Sequence, residues 1–177
     1  GKFTGSEVFN KTLGIVGIGN IGSIVADRAR GLKMHVIAYD PFISQEAAQR
    51  LGVELVSLDE LYARSDFITV HTPLTPETRG IVNDATIARM KKGVLLVNCA
   101  RGGVVVENDL VRALREGVIH AAASDVYETE PLPPDSTLLG IPNMVTTPHL
   151  AAMAADNFEP SVRRIFESER RATQELR

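Results

Sequence analysis

The sequence is 177 residues long, which is the size of one ordinary domain. Its hydrophobic fraction of 44% and charged fraction of 23% are typical of a globular protein with a core, and they exclude a wholly disordered chain. The formal net charge of -3 argues against a nucleic-acid partner, because proteins that bind nucleic acids usually carry a basic face.

Cysteine content and hydropathy narrow the class of protein further. The single cysteine, Cys99, excludes an internal disulfide framework and a cysteine-rich metal site. No apolar run approaches the roughly 20 residues that span a bilayer, and residues 1–10 lack the apolar centre of a signal peptide. We therefore expect a cytoplasmic protein with no membrane partner and no bound metal.

Short apolar runs alternate with longer amphipathic segments along the chain. The predicted strands are 12–18, 34–40, 66–71, 93–98, 120–126 and 143–148. The predicted helices between them are 21–32, 44–52, 58–65, 83–93 and 107–117. Continuous apolar strands separated by helices indicate a parallel sheet that is buried on both faces. The sequence therefore predicts an α/β fold with a doubly wound parallel sheet of the Rossmann type.

The same pattern predicts helix ends and buried faces. Helix 21–32 is expected to bury a face made of Ile21, Ile24, Val25, Ala29 and Leu32. Ser44 is the expected N-cap of the second helix, either Ser57 or Asp59 that of the third, and Asn83 that of the fourth, which is expected to stop at Gly93.

Two stretches interrupt the alternation. Residues 127–142 contain four prolines and no periodicity, so we expect a long loop, and long loops in compact domains are usually functional. Residues 153–177 are polar almost all round and predict a C-terminal helix. We thus expect a dinucleotide-binding domain over residues 1–152, followed by that helix.

Three glycines follow the first predicted strand with the spacing G-x-G-x-x-G, at Gly17, Gly19 and Gly22. The motif alone is weak, but its position between an apolar strand and an amphipathic helix favours a dinucleotide fingerprint over a simple turn. Gly17 then permits the tight turn, Gly19 lets the backbone approach a pyrophosphate, and Gly22 lets the helix pack closely. The amides of Asn20 and Ile21 would face the phosphates.

The second predicted strand ends at Asp40, 18 residues after Gly22. An acid at this offset accepts hydrogen bonds from ribose hydroxyls and repels a 2′-phosphate. The segment PFISQ that follows contains no arginine to bind that phosphate, so NAD is favoured over NADP. The alternative is that Asp40 is a turn residue before Pro41.

Polar and titratable residues follow the other predicted strands, at the edge where open α/β sheets bind ligands. These residues are His71, Thr72, Cys99, Arg101, Asp125 and His149. Arg101, in NCARGG, predicts a guanidinium that binds a carboxylate through two hydrogen bonds. We interpret Gly102 and Gly103 as letting a ligand approach the backbone, although a surface arginine in a turn is the alternative.

His149 is a candidate general acid–base residue, and a carboxylate beside it would hold its tautomer. Glu130 and Glu128 lie in the same predicted loop, and either could be that carboxylate. Cys99 suits a position beside a flat cofactor ring better than the role of a nucleophile, because no base is assigned to it.

Six segments within residues 10–150 together resemble the nucleotide-binding domain of the D-isomer-specific 2-hydroxyacid dehydrogenases. They are GIVGIGNIG, AYDP, FITVHTPLTPETRGIVN, MKKGVLLVNCARGGVVVENDLVRAL, SDVYETEPL and TPHL. The resemblance implies hydride transfer between NAD and a small-molecule D-2-hydroxy acid, with Arg101, Glu130 and His149 as catalytic residues. It selects Glu130 over Glu128. It also implies NAD contacts from Asn20, Ile21, Asp40, Thr72, Cys99, Ala100, Arg101, Asp125, His149, Leu150, Ala151 and Ala152.

Within the family, VHTPLTPETRGIVN and NCARGG are most similar to the members that oxidise 3-phospho-D-glycerate in serine biosynthesis. The alternatives are glyoxylate/hydroxypyruvate reductases, D-lactate-type dehydrogenases and, in another class, NAD-sensing corepressors. The resemblance further implies a homodimer formed through this domain, to which residues 104–115 and 127–142 could contribute. It also implies a substrate domain that this chain lacks, so we expect the chain to bind NAD but to turn over 2-hydroxy acids poorly or not at all.

Overall fold

A seven-stranded parallel sheet forms the centre of the structure, a computed structural model that describes residue 5 and residues 7–150. The strands are β1 (Thr12–Val16), β2 (His35–Tyr39), β3 (Glu54–Leu55), β4 (Phe67–Val70), β5 (Val94–Asn98), β6 (Ile119–Ser124) and β7 (Met144–Thr146). Their order is β3-β2-β1-β4-β5-β6-β7, and every neighbouring pair is parallel. The predicted doubly wound Rossmann-type sheet is confirmed, and the strand order reverses between β1 and β4, where such sheets bind ligands.

The helices follow the predicted segments except at the end of the fourth helix. In the described part of the chain they are α1 (Asn20–Gly31), α2 (Gln45–Leu51), α3 (Leu58–Arg64), α4 (Asp84–Ile87) and α5 (Glu107–Glu116). The prediction that the fourth helix runs to Gly93 was wrong, because the chain leaves the α-helix at Ile87 and continues in tighter turns. Strand β3 was not predicted, since two residues are too short to show an alternating pattern.

Side-chain caps begin three helices where the sequence places them. Ser44 accepts a hydrogen bond from the Ala47 amide, and Asn83 caps α4. Of the two N-cap candidates for α3, Ser57 is the cap, and it forms a reciprocal capping box with Glu60. Asp59 instead forms an ion pair with Arg89.

The predicted apolar face of α1 was wrong for three of its five residues, because Ile21, Ile24 and Leu32 are 61%, 54% and 58% exposed. Ala29 is buried and Val25 is partly buried, as predicted, and Gly22 and Ala26 complete the buried side of α1. The helix comes closest to the sheet at Gly22, where a Cβ atom would lie 2.2 Å from the Gly17 carbonyl oxygen, so no larger residue fits there.

Apolar side chains on alternate positions of the strands form a core on each face of the sheet. Ile15 packs in the core that includes Ala26 and Ala29 of α1, whereas Val16 packs in the core that includes residues of α3, α4 and α5. The sheet is therefore covered on both faces, and its carboxyl edge is left for polar groups.

The long loop predicted at 127–142 is present and contains one short 3-10 helix, Thr137–Gly140. The predicted C-terminal helix at 153–177, like Ala151 and Ala152, lies outside the described residues. The longest helix in the described part has 12 residues, and none there combines the length and apolarity that crossing a membrane requires.

Candidate functional site

The parallel strands bring the predicted polar residues to one edge of the sheet. Backbone hydrogen bonds join the segments that leave the strands: Gly17 N to Tyr39 O (2.9 Å), His71 N to Val16 O (2.8 Å) and Asp125 N to Asn98 O (3.0 Å). This edge, which follows β1, β2, β4, β5, β6 and β7, is called the carboxyl rim below.

The glycine loop at the rim has the geometry that its spacing predicts. Gly17 has φ +90°, and a Cβ atom there would lie 2.9 Å from Thr72 Cγ2. A Cβ atom on Gly19 would meet nothing within 4 Å, so the space beside that backbone is open. Helix α1 begins at Asn20 without a side-chain cap and without an acidic residue in its first turn. Its first amides, including that of Ile21, therefore point their N–H groups and the positive end of the helix dipole into open space.

Asp40 lies beside the glycine loop and already accepts two backbone hydrogen bonds. Its Oδ2 accepts from Ile18 N and its Oδ1 from Phe42 N, each at 2.9 Å. The hydrogen bond from Phe42, two residues further on, is the kind that a turn residue accepts. The hydrogen bond from Ile18 joins the end of β2 to the glycine loop. Because each carboxylate oxygen can accept more than one hydrogen bond, both oxygens retain capacity for ribose hydroxyls.

Thr72 presents an unpaired polar atom to the same region. Its Oγ1 is buried and has no hydrogen-bond partner among the residues that the structure describes. A buried hydroxyl without a partner is costly, so this atom fits a contact to a bound molecule. The neighbouring His71 binds Thr69 Oγ1 through Nε2 at 2.9 Å, and burial lowers its pKa, which favours an uncharged imidazole at neutral pH.

Asn98, at the end of β5, was missed by the sequence reasoning and holds the loop that carries Arg101. Its side chain is buried; Oδ1 accepts from Ala100 N at 3.1 Å and Nδ2 donates to Arg101 O at 3.3 Å. The signal that could have revealed it is an amide residue directly after an apolar strand, within a motif already singled out.

The Arg101 side chain is exposed at the rim. Its Nη1 donates to Ala100 O at 2.6 Å, and it forms no ion pair with any described residue. A guanidinium without an acidic partner can bind a carboxylate from outside.

The interpretation of Gly102 as a place of ligand approach was wrong. A Cβ atom there would lie 1.7 Å from the Tyr127 carbonyl oxygen, so this glycine allows two segments of the chain to touch. Gly103 has φ +80°, a conformation that favours glycine.

His149 and Glu130 form a pair at the rim. His149 Nδ1 lies 2.9 Å from Glu130 Oε2, and Glu130 Oε1 accepts from Tyr127 N at 3.0 Å. These bonds, that to His149 foremost, lower the pKa of Glu130, so its carboxylate is ionised at neutral pH and can only accept. Nδ1 of His149 must then carry a proton, and in the neutral ring Nε2 keeps a lone pair. The rival carboxylate, Glu128, bonds Glu107 instead.

Asp125 is buried near these groups. Its Oδ1 accepts from the Thr147 hydroxyl and, at 2.8 Å, from Leu150 N, which ties the segment carrying His149 to the end of β6. Partial burial and the charge of Asp125 raise the pKa of Cys99, so its thiol stays protonated and is a poor nucleophile. Within residues 5 and 7–150, no cluster of three or more His, Cys, Asp or Glu side chains could hold a metal ion.

The rim fits a dinucleotide. Free amides at the start of α1 suit a pyrophosphate and Asp40 suits an adenosine ribose. Thr72, whose Cγ2 lies against the glycine turn, has an unpaired Oγ1 that suits a further contact.

Comparisons with known proteins also indicate a dinucleotide-binding domain. Residues 1–151 match the family described as D-isomer specific 2-hydroxyacid dehydrogenase, NAD binding domain. A D-3-phosphoglycerate dehydrogenase of Archaeoglobus fulgidus is 52% identical over 151 residues, which are 85% of this chain and 29% of that protein. The chain thus spans less than a third of the length of the curated relatives it matches.

Solved structures show the same fold. A glyoxylate reductase from Paecilomyes thermophila superposes with a TM-score of 0.81 at 38% identity, covering 88% of this chain and 47% of that one. A D-isomer specific 2-hydroxyacid dehydrogenase from Lactobacillus delbrueckii ssp. bulgaricus, in its NAD-complexed form, gives 0.81 at 30% identity, covering 97% and 56%. The family and the cofactor predicted from the sequence are confirmed. The chain belongs to the D-isomer specific 2-hydroxyacid dehydrogenases, as their NAD-binding domain.

Proposed function

We propose that this chain is the cofactor-binding part of an enzyme that oxidises 3-phospho-D-glycerate to 3-phosphohydroxypyruvate in serine biosynthesis. The observation that carries the proposal is the 2.9 Å contact between His149 Nδ1 and Glu130 Oε2, at the rim where the Arg101 guanidinium has no acidic partner among the described residues. The choice of substrate is supported by relatives named D-3-phosphoglycerate dehydrogenase that are 52% and 51% identical.

His149 is the proposed base. With its Nδ1–H held by Glu130, Nε2 is left to take the proton from the substrate hydroxyl, and no described residue bonds Nε2. The imidazolium that results lies against an ionised carboxylate, which stabilises its positive charge. Bound NAD supplies the hydride acceptor, and the protein supplies orientation and proton transfer. In the reverse direction His149 returns the proton.

Arg101 is proposed to bind the substrate carboxylate. A guanidinium can bind both oxygens of a carboxylate at once and so fix its orientation. Asn98 holds the Arg101 backbone, which limits where the side chain can reach. Binding and orientation of the substrate thus fall to one residue, and proton transfer to another.

The proposed contacts of NAD divide along the rim. The first amides of α1, after Gly19, would bind the pyrophosphate, and Asp40 and Thr72 would contact the adenosine side. On the nicotinamide side the contacts would come from Cys99, Ala100, Asp125, Leu150, Ala151 and Ala152. The last two of these lie outside the described residues.

Replacing Asp40 by alanine should weaken NADH binding by roughly 5- to 150-fold, which corresponds to the about 1–3 kcal/mol of lost hydrogen bonds to a charged group. Binding of NADPH should weaken less, because the repulsion of its 2′-phosphate is also removed. Calorimetric titration measures both affinities. Asp59→Ala, which removes the same charge from a surface ion pair on α3, is the control. Unchanged NADH affinity in Asp40→Ala would remove this residue from the site.

We also propose that the protein acts in the cytoplasm on a small-molecule substrate and as a homodimer formed through this domain. The exposed apolar residues Leu139 and Val145, in the loop 127–142 and on edge strand β7, are consistent with such an interface. Residues 104–115 would contribute mainly polar atoms, because Leu110 and Leu114 are already buried in the core. Sedimentation velocity on the chain and on Val145→Asp would detect the dimer and its loss.

The proposed reaction is tested by measuring NADH formation at the natural length of the protein that contains this sequence. Parallel assays use 3-phospho-D-glycerate, D-lactate and D-glycerate, with NAD in each. Preference for 3-phospho-D-glycerate supports the proposal. Preference for D-glycerate or D-lactate would assign the protein to the reductase or lactate branch of the family. The absence of turnover with every 2-hydroxy acid, in a protein that still binds NAD, would favour a binding role.

A further inference from the structure

Two glutamates outside the site form a reciprocal contact next to the loop that carries Glu130. Glu107 is the first residue of α5, and Glu128 lies in the loop that follows β6. The Glu128 amide donates to Glu107 Oε1 at 2.7 Å, and the Glu107 amide donates to Glu128 Oε1 at 3.2 Å. This pair of bonds is called the Glu107–Glu128 clasp below.

The start of α5 explains why the clasp forms. The N-cap residue of α5 is Val106, whose side chain cannot accept a hydrogen bond, so the first amides of the helix have no local cap. Glu128 supplies the missing acceptor from a different segment of the chain. A carboxylate at this position is also favoured by the positive end of the helix dipole.

The clasp does not depend on attraction between the two side chains. Both are acidic, and burial, together with the charge of Glu128, raises the pKa of Glu107. Their repulsion is tolerated because each carboxylate binds the backbone amide of the other residue. An arrangement held at an electrostatic cost, beside a reactive pair, points to a role in fixing the loop.

We propose that Glu107 and Glu128 are positioning residues for the Glu130–His149 pair. The inference rests on the function proposed for that pair. The clasp holds the amide of Glu128, and the preceding amide, that of Tyr127, holds Glu130 Oε1 at 3.0 Å. Glu130 therefore has one oxygen fixed by the loop backbone, and its other oxygen faces His149 Nδ1.

Two further contacts leave the loop little freedom once the clasp is formed. The Tyr127 carbonyl packs directly against Gly102, next to Arg101. The Tyr127 hydroxyl lies 2.7 Å from Ser124 O and 2.8 Å from Thr147 O, and so joins the ends of β6 and β7. The contacts of Tyr127 do not hold the loop at Glu128, where it meets α5. Loss of the clasp would release the loop at that point.

The test compares Glu107→Ala with Glu107→Gln in this chain by following the titration of the Glu130 carboxyl carbon by NMR. The resonance is assigned by its loss in Glu130→Gln. In the unaltered chain the pKa of Glu130 is expected below its ordinary value. Glu107→Ala should raise that pKa toward the ordinary value, whereas Glu107→Gln, which keeps an acceptor oxygen for the Glu128 amide, should retain the low value. Glu116→Ala, at the other end of α5, is the control for loss of a charge.

At the natural length of the protein, Glu107→Ala should lower kcat about tenfold or more with an unchanged KM for NAD, and Glu107→Gln should restore kcat. Should Glu107→Ala fail to fold, Glu128→Ala removes an exposed side chain and the other bond of the clasp, that from the Glu107 amide, and Glu128→Gln restores its acceptor oxygen. A folded Glu107→Ala or Glu128→Ala variant that keeps the low Glu130 pKa would overturn the inference. An ordinary Glu130 pKa in the unaltered chain, insensitive to His149→Asn, would instead contradict the pair on which the proposed function rests.

Discussion

Replacing Gly22 by alanine should abolish measurable NADH binding, with a loss of affinity of at least about 100-fold. The new Cβ atom would lie 2.2 Å from the Gly17 carbonyl oxygen, so helix α1 must move away from the glycine loop. That movement displaces the amides at the start of α1 from the pyrophosphate position. The free energy of unfolding should fall by about 1–3 kcal/mol, as for other overpacked interiors. Calorimetry measures the binding, and urea denaturation measures the stability.

Two other glycines separate the effect on binding from the effect on folding. Gly19→Ala adds a Cβ atom into open space, so stability should change by less than about 1 kcal/mol while NADH binding is still lost. Gly31→Ala, at the far end of α1, also meets nothing within 4 Å and should leave binding unchanged. If Gly19→Ala binds NADH as the unaltered chain does, the pyrophosphate does not approach the loop there.

Replacing His149 by asparagine should lower kcat by about 10²- to 10⁴-fold, the range found when a general acid–base residue is removed. The amide cannot take up the substrate proton, and the partner carboxylate of Glu130 is left without a group to orient. NADH affinity should change by only a few-fold, because the glycine loop and Asp40 are untouched. Steady-state kinetics at the natural length of the protein and calorimetry on this chain give the two quantities.

His120→Asn is the matched control for that substitution. His120 lies at the start of β6, far from the carboxyl rim, and its replacement should leave kcat within about twofold. Retained turnover in His149→Asn would show that another group moves the proton, and His71, the other histidine at the rim, would then be the next residue to replace.

The sheet and most of the rim could be predicted because they depend on local patterns. Apolar runs located the larger strands along the chain, and the predicted parallel arrangement then placed Asp40, Arg101 and His149 on one edge without knowledge of any distance. The glycine spacing was informative for the same reason, since a tight turn and a close helix are local requirements. Only the resemblance to the family favoured Glu130 over Glu128, and the contact between Glu130 and His149 agrees with it.

The errors arose where distant segments meet. The large apolar residues of α1 looked like a buried face, but the close approach of Gly22 to Gly17 admits only small side chains. Gly102 looked like space for a ligand, whereas the Tyr127 carbonyl occupies that space. Asn98 and the Glu107–Glu128 clasp make contacts between strand ends, loops and a helix that no spacing along one segment can show.

The most direct test of the central claim is calorimetric titration of this chain with NADH and, separately, with NADPH. Calorimetry suits the chain because it contains no tryptophan for intrinsic fluorescence. We predict saturable binding of one NADH per chain and much weaker binding of NADPH, because Asp40 would face the 2′-phosphate. NADPH binding as tight as that of NADH would contradict the role of Asp40. A folded chain that binds neither would contradict the glycine loop as the cofactor site.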